Sequence, residues 1–142
     1  MDNITDESPL EGDWDTLIKQ AIDAREYAYA PYSNYKVGAA VLTKSGLIYS
    51  GCNIENAAYS PSNCAERTAI FKAISEGERD FSAIAVVTSN GASPCGVCRQ
   101  VMREFAPNLI VILGDIDGNF HVLELPDLLP QSFGPDMLPR ET

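Results

Sequence analysis

The stretch CAERTAIFKAISEGERDFSAIAVVT, residues 64–88, is the strongest indication of the fold class, because its pattern predicts a helix directly before a buried strand. Residues 64–76 are rich in strong helix formers with apolar side chains at helical spacing, and Gly77 ends the helix. Residues 81–88 are continuously apolar and rich in β-branched side chains, which is typical of a strand covered on both faces. The stretch therefore predicts a helix that packs on a central sheet.

Downstream, the same alternation of helix and strand is repeated. Residues 95–105 are typical of a second short helix, and LIVIL at residues 109–113 is typical of another buried strand. A turn at residues 115–118 leads into an edge strand at residues 120–125. The proline-rich remainder of the chain predicts only short helical turns.

Upstream, the pattern predicts one helix and one β-hairpin. A helical stripe of apolar residues begins at Leu17, and we expect this first helix to run as far as Pro31. KVGAAVLT at residues 36–43 is joined by a Lys-Ser-Gly turn to residues 47–50, which predicts the hairpin.

The order helix, two strands, helix, strand, helix, strand, strand predicts one α/β domain. We expect a mixed five-stranded sheet sandwiched by helices in an α/β/α arrangement. Residues 13–136 are assigned to this domain, residues 1–12 to a flexible acidic arm, and residues 137–142 to a tail.

Composition and charge restrict the classes of function. Apolar residues make up 45% of the chain, which is ordinary for a globular protein, and no apolar run is long enough to cross a bilayer. The acidic N-terminus does not resemble a signal peptide, so a cytoplasmic protein is expected. The formal net charge of −10 argues against a nucleic-acid partner, because such affinity depends on Lys and Arg that neutralise phosphates. A small uncharged ligand suits this surface better.

Three of the four cysteines lie in two short motifs that each open a predicted helix. The motifs are CAE at residues 64–66 and PCGVC at residues 94–98. A helix N-terminus favours the thiolate, which is the form that binds metal. Cys95 and Cys98 lie on one helical face, and Cys64 supplies a third sulfur. Three soft ligands and one open position indicate a catalytic zinc site in which water takes the fourth place.

Charged residues around these cysteines suggest further roles. Glu66 is poorly placed to bind the same ion as Cys64, so we expect it to move protons beside the metal. Three thiolates and Zn²⁺ have a combined charge of about −1, which should be balanced by hydrogen bonds from Arg67 and Arg99 to the sulfurs. The single histidine, His121, lies far from these motifs in the sequence and is expected to be an ordinary structural or surface residue.

With these motifs, the chain resembles the cytidine deaminase family, specifically its small homotetrameric class. The resemblance covers about residues 17–133. The matching stretches are APYS (30–33), VGAA (37–40), GCNIENA (51–57), CAERTA (64–69), PCGVCRQ (94–100), LLP (128–130) and Phe133.

The resemblance implies roles for individual residues. Cys64, Cys95 and Cys98 would hold one Zn²⁺ per subunit, and Glu66 would be the catalytic proton shuttle. The implied substrate-binding residues are Asn53 and Glu55 for the ribose 3′-hydroxyl, Tyr35 and the backbone at Ala65 for the base, and, from or near neighbouring subunits, Ala57, Tyr59 and Phe133. Tyr35 stands where the family usually has Phe, so its hydroxyl needs a partner if it is buried.

The implied activity is hydrolytic deamination of cytidine and 2′-deoxycytidine to the corresponding uridines, with release of ammonia, in pyrimidine salvage. The implied partners are the nucleoside and three further copies of the chain, with active sites at subunit boundaries. No nucleic acid or membrane partner is expected.

Several other interpretations fit parts of the pattern. Cys52 could complete a structural four-cysteine zinc site, although we read it as a small buried residue. Cys95 and Cys98 could form a redox pair, and the chain could be an inactive binding module. Among deaminases, a polynucleotide editor is disfavoured by the acidic charge. An aminonucleoside-antibiotic deaminase shares the two cysteine motifs, but the sequence NIEN at residues 53–56 points to an ordinary ribose.

Overall fold

A computed structural model of the chain describes residues 14–139. The predicted arm at residues 1–12 and the last three residues of the predicted tail lie outside this range. In chain order the elements are α1 (Asp15–Arg25), β1 (Gly38–Thr43), β2 (Ile48–Cys52), α2 (Ala65–Ser75), β3 (Phe81–Thr88), α3 (Gly96–Phe105), β4 (Ile110–Asp115), β5 (Phe120–Glu124), α4 (Leu125–Leu128) and a 3₁₀ turn (Pro135–Met137).

The sheet is mixed, as the sequence predicts. Its strand order is β2-β1-β3-β4-β5. Strands β3 and β4 are parallel, because α3 carries the chain back between them, and all other neighbours are antiparallel. The predicted hairpin is β1 and β2, and the predicted edge strand is β5.

Helices cover both faces of the sheet. On one face, Leu17 and Ala21 of α1 pack with Ala85 of β3 in a core of buried side chains. On the other face, Ile70 of α2 and Met102 of α3 pack with further sheet residues. Strand β3 therefore has apolar side chains on both faces, which explains its continuous apolar sequence. Within residues 14–139, no helix combines the length and apolar character that a membrane span requires.

The first helix ends earlier than predicted, at Arg25 rather than close to Pro31. The chain after it pairs with the segment that follows β2. Tyr29 N–H donates to the carbonyl of Asn53 at 2.9 Å, and Glu55 N–H donates to the carbonyl of Tyr29 at 2.8 Å. These bonds between distant segments replace the helical bonds that the local apolar pattern favours, and they bring residues 29–35 to one edge of the sheet.

Two strand glycines allow the helices to approach the sheet closely. A Cβ atom on Gly38 would lie 1.9 Å from the carbonyl oxygen of Ala21 in α1, and one on Gly51 would lie 2.7 Å from the backbone nitrogen of Ala69 in α2. Since these neighbours are helix backbone, they have no flexible side chain that could move aside.

We predict that Gly38→Ala lowers the free energy of unfolding by about 3 kcal/mol or prevents folding, because α1 must move away from β1. Gly114→Ala in β4 is the matched control, since its Cβ would meet neighbours at an ordinary distance of 3.5 Å. Urea denaturation of both variants measures the difference. A Gly38→Ala protein as stable as the control would contradict the close approach.

Candidate active site

Three chain segments meet at one edge of the sheet and form the floor of the site. Gly38, the first residue of β1, pairs with Cys52 at the end of β2 and with Val87 near the end of β3. The residues just beyond these strand ends are therefore neighbours in space, although they are distant in sequence. Helices α2 and α3 both begin at this edge, each with a cysteine at its N-cap position.

The sulfurs of Cys64, Cys95 and Cys98 form one group in which all ligand atoms lie within 4.8 Å of one another. Cys64 Sγ lies 3.8 Å from Cys95 Sγ. Cys98 is buried, Cys64 is partly buried and Cys95 is exposed. The predicted third sulfur from a separate helix start is thus brought to the Cys-x-x-Cys pair.

This group fits a zinc ion. Tetrahedral ligands at about 2.3 Å from zinc leave their sulfurs roughly 3.8 Å apart, which matches the separation of Cys64 and Cys95. Cys52 is not part of the group, and it is only partly buried rather than buried as expected. His121, which is exposed on β5, is not part of the group either. Among the described residues, the ion would therefore have three protein ligands rather than four.

The thiols also influence one another's protonation. A hydrogen bond from the Cys98 thiol, together with contacts from Arg67 and Cys95, lowers the pKa of Cys64 to about 5. The same bond with Cys64, together with burial, raises the pKa of Cys98. The proton of one thiol thus stabilises the neighbouring thiolate. A bound metal cation can replace that proton and stabilise both sulfurs as thiolates.

The two arginines predicted beside the sulfurs differ in their contacts. Arg67 Nη2 donates to Cys64 Sγ at 3.3 Å, as expected. Arg99 instead donates to two carbonyl oxygens, that of Pro94 at 2.8 Å and that of Leu128 at 2.6 Å. Its expected hydrogen bond to a sulfur is not among the contacts of the described residues. Arg99 fixes the backbone directly before Cys95, so it supports this ligand through the chain.

Glu66 is the one buried carboxylate within residues 14–139, with 3% of its surface exposed. It follows Cys64 by two residues in the first turn of α2. Burial raises the pKa of its carboxyl group to about 7, and negative charge on Cys64 adds to this effect. A carboxyl group with such a pKa can both accept and donate a proton near neutral pH, as general acid–base catalysis requires.

A cavity of about 240 Å³ opens beside Cys64 and Glu66. Asn53, Glu55 and Tyr35 line its other sides. The structure thus places these five predicted site residues around one space that suits a small molecule. A larger cavity of about 370 Å³ lies at residues 105–110 with Lys44 and Asp80, apart from the sulfur group.

Asn53 and Glu55 are held rigidly. The Asn53 amide donates to the carbonyl of Tyr35 at 2.8 Å and accepts from Val37 N–H at 2.9 Å. Glu55 accepts from the backbone N–H groups of Tyr32 and Ser33 and from the Ser33 hydroxyl, and these bonds lower the pKa of its carboxyl group. Both side chains are therefore ordered without a ligand.

Three predicted binding residues lie outside this cavity. Phe133 is 56% exposed and Tyr59 is 75% exposed, and Ala57 is exposed as well. Phe133 is nevertheless fixed in place, since its carbonyl oxygen accepts from Gln100 Nε2 of α3 at 2.8 Å. Ala65 is buried between Cys64 and Glu66.

Three polar residues that line the cavity were not predicted from the sequence, namely Ser33, Thr88 and Ser93. Ser33 donates to Glu55. Asn90 was not predicted either; it lies outside the lining and accepts a hydrogen bond from the Tyr35 hydroxyl at 2.7 Å. Ser33 lies in the quoted APYS motif, so its position was a usable signal. Asn90 carried no signal, because it is an exposed residue in a loop.

Comparison with known proteins agrees with this geometry. Residues 13–113 match the family model described as "Cytidine and deoxycytidylate deaminase zinc-binding region". Cytidine deaminase of Halalkalibacterium halodurans is 55% identical over 120 residues, covering 82% of this chain and 91% of the relative. Cytidine deaminase of Sporosarcina psychrophila is 50% identical over 129 residues, covering 89% of this chain and 95% of the relative.

A solved structure gives the same result for the fold. The crystal structure of cytidine deaminase from Burkholderia pseudomallei superimposes with a TM-score of 0.80 at 52% identity, covering 83% of this chain and 97% of that one. Sequence, fold and the cluster of three sulfurs therefore agree, and the chain belongs to the zinc-binding cytidine and deoxycytidylate deaminase family.

Proposed function

We propose that this enzyme hydrolyses cytidine and 2′-deoxycytidine to uridine and 2′-deoxyuridine, with release of ammonia, in cytoplasmic pyrimidine salvage. The observation that carries the proposal is a buried glutamate beside three clustered sulfurs at the side of a cavity. Relatives at 55% and 50% identity that are named cytidine deaminase support the choice of substrate.

Cys64, Cys95 and Cys98 hold one Zn²⁺ in this proposal, and the ion supplies an activated water when bound. Cys64 lines the cavity, so an ion held by the three sulfurs would be next to the space that receives the substrate. The hydrogen bond from Arg67 to Cys64 offsets part of the negative charge of three thiolates.

Glu66 moves the protons of the reaction. It accepts a proton from the attacking water as oxygen adds to C4 of the base, and it delivers that proton to N3. It then moves the remaining proton of the added hydroxyl group to the 4-amino group, so that C4–O becomes a carbonyl as the C4–N4 bond breaks and ammonia leaves. Because its carboxyl group is buried beside the sulfurs and lines the cavity, it would be close to both the activated water and the base.

Asn53 and Glu55 hold the ribose 3′-hydroxyl, Tyr35 forms part of the wall beside the base, and the backbone at Ala65 contacts the pyrimidine edge. The fixed side chains of Asn53 and Glu55 support this assignment, since ordered groups lose little entropy when a hydroxyl binds.

A homotetramer completes the site. In this proposal, residues 13–136 form the catalytic domain, and Ala57, Tyr59 and Phe133 contact the substrate bound by a neighbouring copy. Their exposure outside the cavity of their own chain supports this arrangement.

We predict that the purified, reduced protein contains one zinc per chain and consumes cytidine in an ultraviolet assay. Cys98→Ser should lose both zinc and turnover, because two sulfurs hold the ion weakly. Cys52→Ser is the matched control and should retain both. Loss of zinc in Cys52→Ser would instead indicate a closed four-cysteine site.

Glu66→Gln is expected to keep its fold and zinc but to lose about 10²- to 10⁴-fold in kcat, because an amide transfers no proton. Glu76→Gln, at the exposed end of the same helix, should behave like the wild type. Metal analysis and steady-state kinetics on both variants provide the test. If Glu66→Gln turned over cytidine at nearly the wild-type rate, Glu66 could not be the residue that moves the protons.

The ribose contacts predict a simple order of substrates. Deletion of the 3′-hydroxyl should lower kcat/KM by roughly 10- to 100-fold, because it leaves the Glu55 carboxylate without a partner from the substrate. Deletion of the 2′-hydroxyl should cost less than about 10-fold. The measurement compares cytidine, 2′-deoxycytidine and 3′-deoxycytidine. Equal rates for cytidine and 3′-deoxycytidine would contradict the role of Asn53 and Glu55.

A further inference from the structure

Tyr35 is a fixed point in the wall of the cavity. Its backbone N–H donates to Ser33 Oγ at 3.0 Å, and its carbonyl accepts from Asn53 Nδ2 at 2.8 Å. Its hydroxyl group donates to Asn90 Oδ1 at 2.7 Å. Since the backbone of Tyr35 is held on both sides, its hydroxyl can serve as a rigid anchor for the loop that contains Asn90.

That loop, residues 89–93, is organised around the same amide oxygen. Asn90 Oδ1 also accepts from Thr88 Oγ1 at 3.2 Å, and Thr88 Oγ1 accepts from Ala92 N–H at 2.9 Å. Gly91 has a φ of 72°, which allows the tight turn between Asn90 and Ala92. The loop is therefore held by hydrogen bonds between its own residues, and the Asn90 side chain connects it to Tyr35.

The loop forms part of the substrate cavity, but Asn90 does not. Thr88, Ala92 and Ser93 line the cavity together with Tyr35, whereas Asn90 is exposed to solvent. The shape of this wall thus depends on a hydrogen bond made behind it.

The metal ligands are anchored separately from this bond. Pro94, between the loop and Cys95, is buried, and its carbonyl oxygen accepts from Arg99 Nε at 2.8 Å. A change in the loop can therefore alter the cavity wall without displacing Cys95 or Cys98.

We propose that Asn90 is a positioning residue for substrate binding, and that its hydrogen bond with the Tyr35 hydroxyl holds residues 89–93 in the shape that receives the nucleoside. This inference rests on the proposed function only for its kinetic readout. Without the bond, the nucleoside has to order the loop when it binds, which raises KM and leaves the chemical step unchanged.

The test uses Tyr35→Phe, Asn90→Ala and the double variant, all as zinc-loaded full-length enzymes. Tyr27→Phe is the matched control, because Tyr27 is 82% exposed and does not line the cavity. Each of the three variants should raise KM for cytidine by about 3- to 10-fold with kcat within about twofold. Tyr35→Phe removes one neutral hydrogen bond, and Asn90→Ala also removes the longer one from Thr88. The double variant should be no worse than the more affected single variant.

Hydrogen–deuterium exchange without nucleoside gives an independent readout. Peptides that cover residues 89–93 should exchange faster in all three variants and unchanged in Tyr27→Phe, with zinc content equal to the wild type throughout. Exchange at the wild-type rate in Tyr35→Phe, or multiplied effects on KM in the double variant, would overturn the proposal. If the wild type does not consume cytidine, the proposed function fails, while the exchange pattern still decides whether the bond holds the loop.

Discussion

The site depends on a constraint of topology: two helices must begin at the same edge of one sheet. Strand β3 runs antiparallel to β1 and parallel to β4, so the end of β3 lies beside the start of β1 and the end of β2. Helices α2 and α3 begin at this edge with Cys64 and Cys95 as their N-cap residues. Because both helices pack on the same core, their first turns meet, and three sulfurs from two distant segments form one group.

The chemistry of the site depends on how several negatively charged groups are stabilised where α2 and α3 begin. Three sulfurs and a buried carboxyl group would repel one another as anions, and Arg67 places a positive charge beside them through its hydrogen bond to Cys64. Burial raises the pKa of the Glu66 carboxyl group to about 7, while hydrogen bonds, chiefly the one with Cys98, lower the pKa of the Cys64 thiol to about 5. A divalent cation bound to the three sulfurs would offset their mutual repulsion. The carboxyl group of Glu66 would then remain free to exchange protons.

Much of the fold and the central site could be predicted from the sequence, because both depend on local patterns. Apolar periodicity marked the five strands and the helices, and the two cysteine motifs marked the sulfur group. The errors arose where distant segments interact. Helix α1 ends early because Tyr29 pairs with residues beyond β2, and Arg99 reaches Leu128 rather than a sulfur. The role of Asn90 likewise depends on where Tyr35 lies in space, which its own sequence context does not specify.

The catalytic role proposed for this site requires three sulfurs to hold a zinc ion and to leave one position for a substrate water. X-ray absorption spectroscopy of the reduced, zinc-loaded protein is the decisive measurement, because it identifies the atoms bound to the metal. We expect three sulfur neighbours and one oxygen or nitrogen neighbour per zinc. Four sulfur neighbours, or an active enzyme that binds no zinc, would contradict this role.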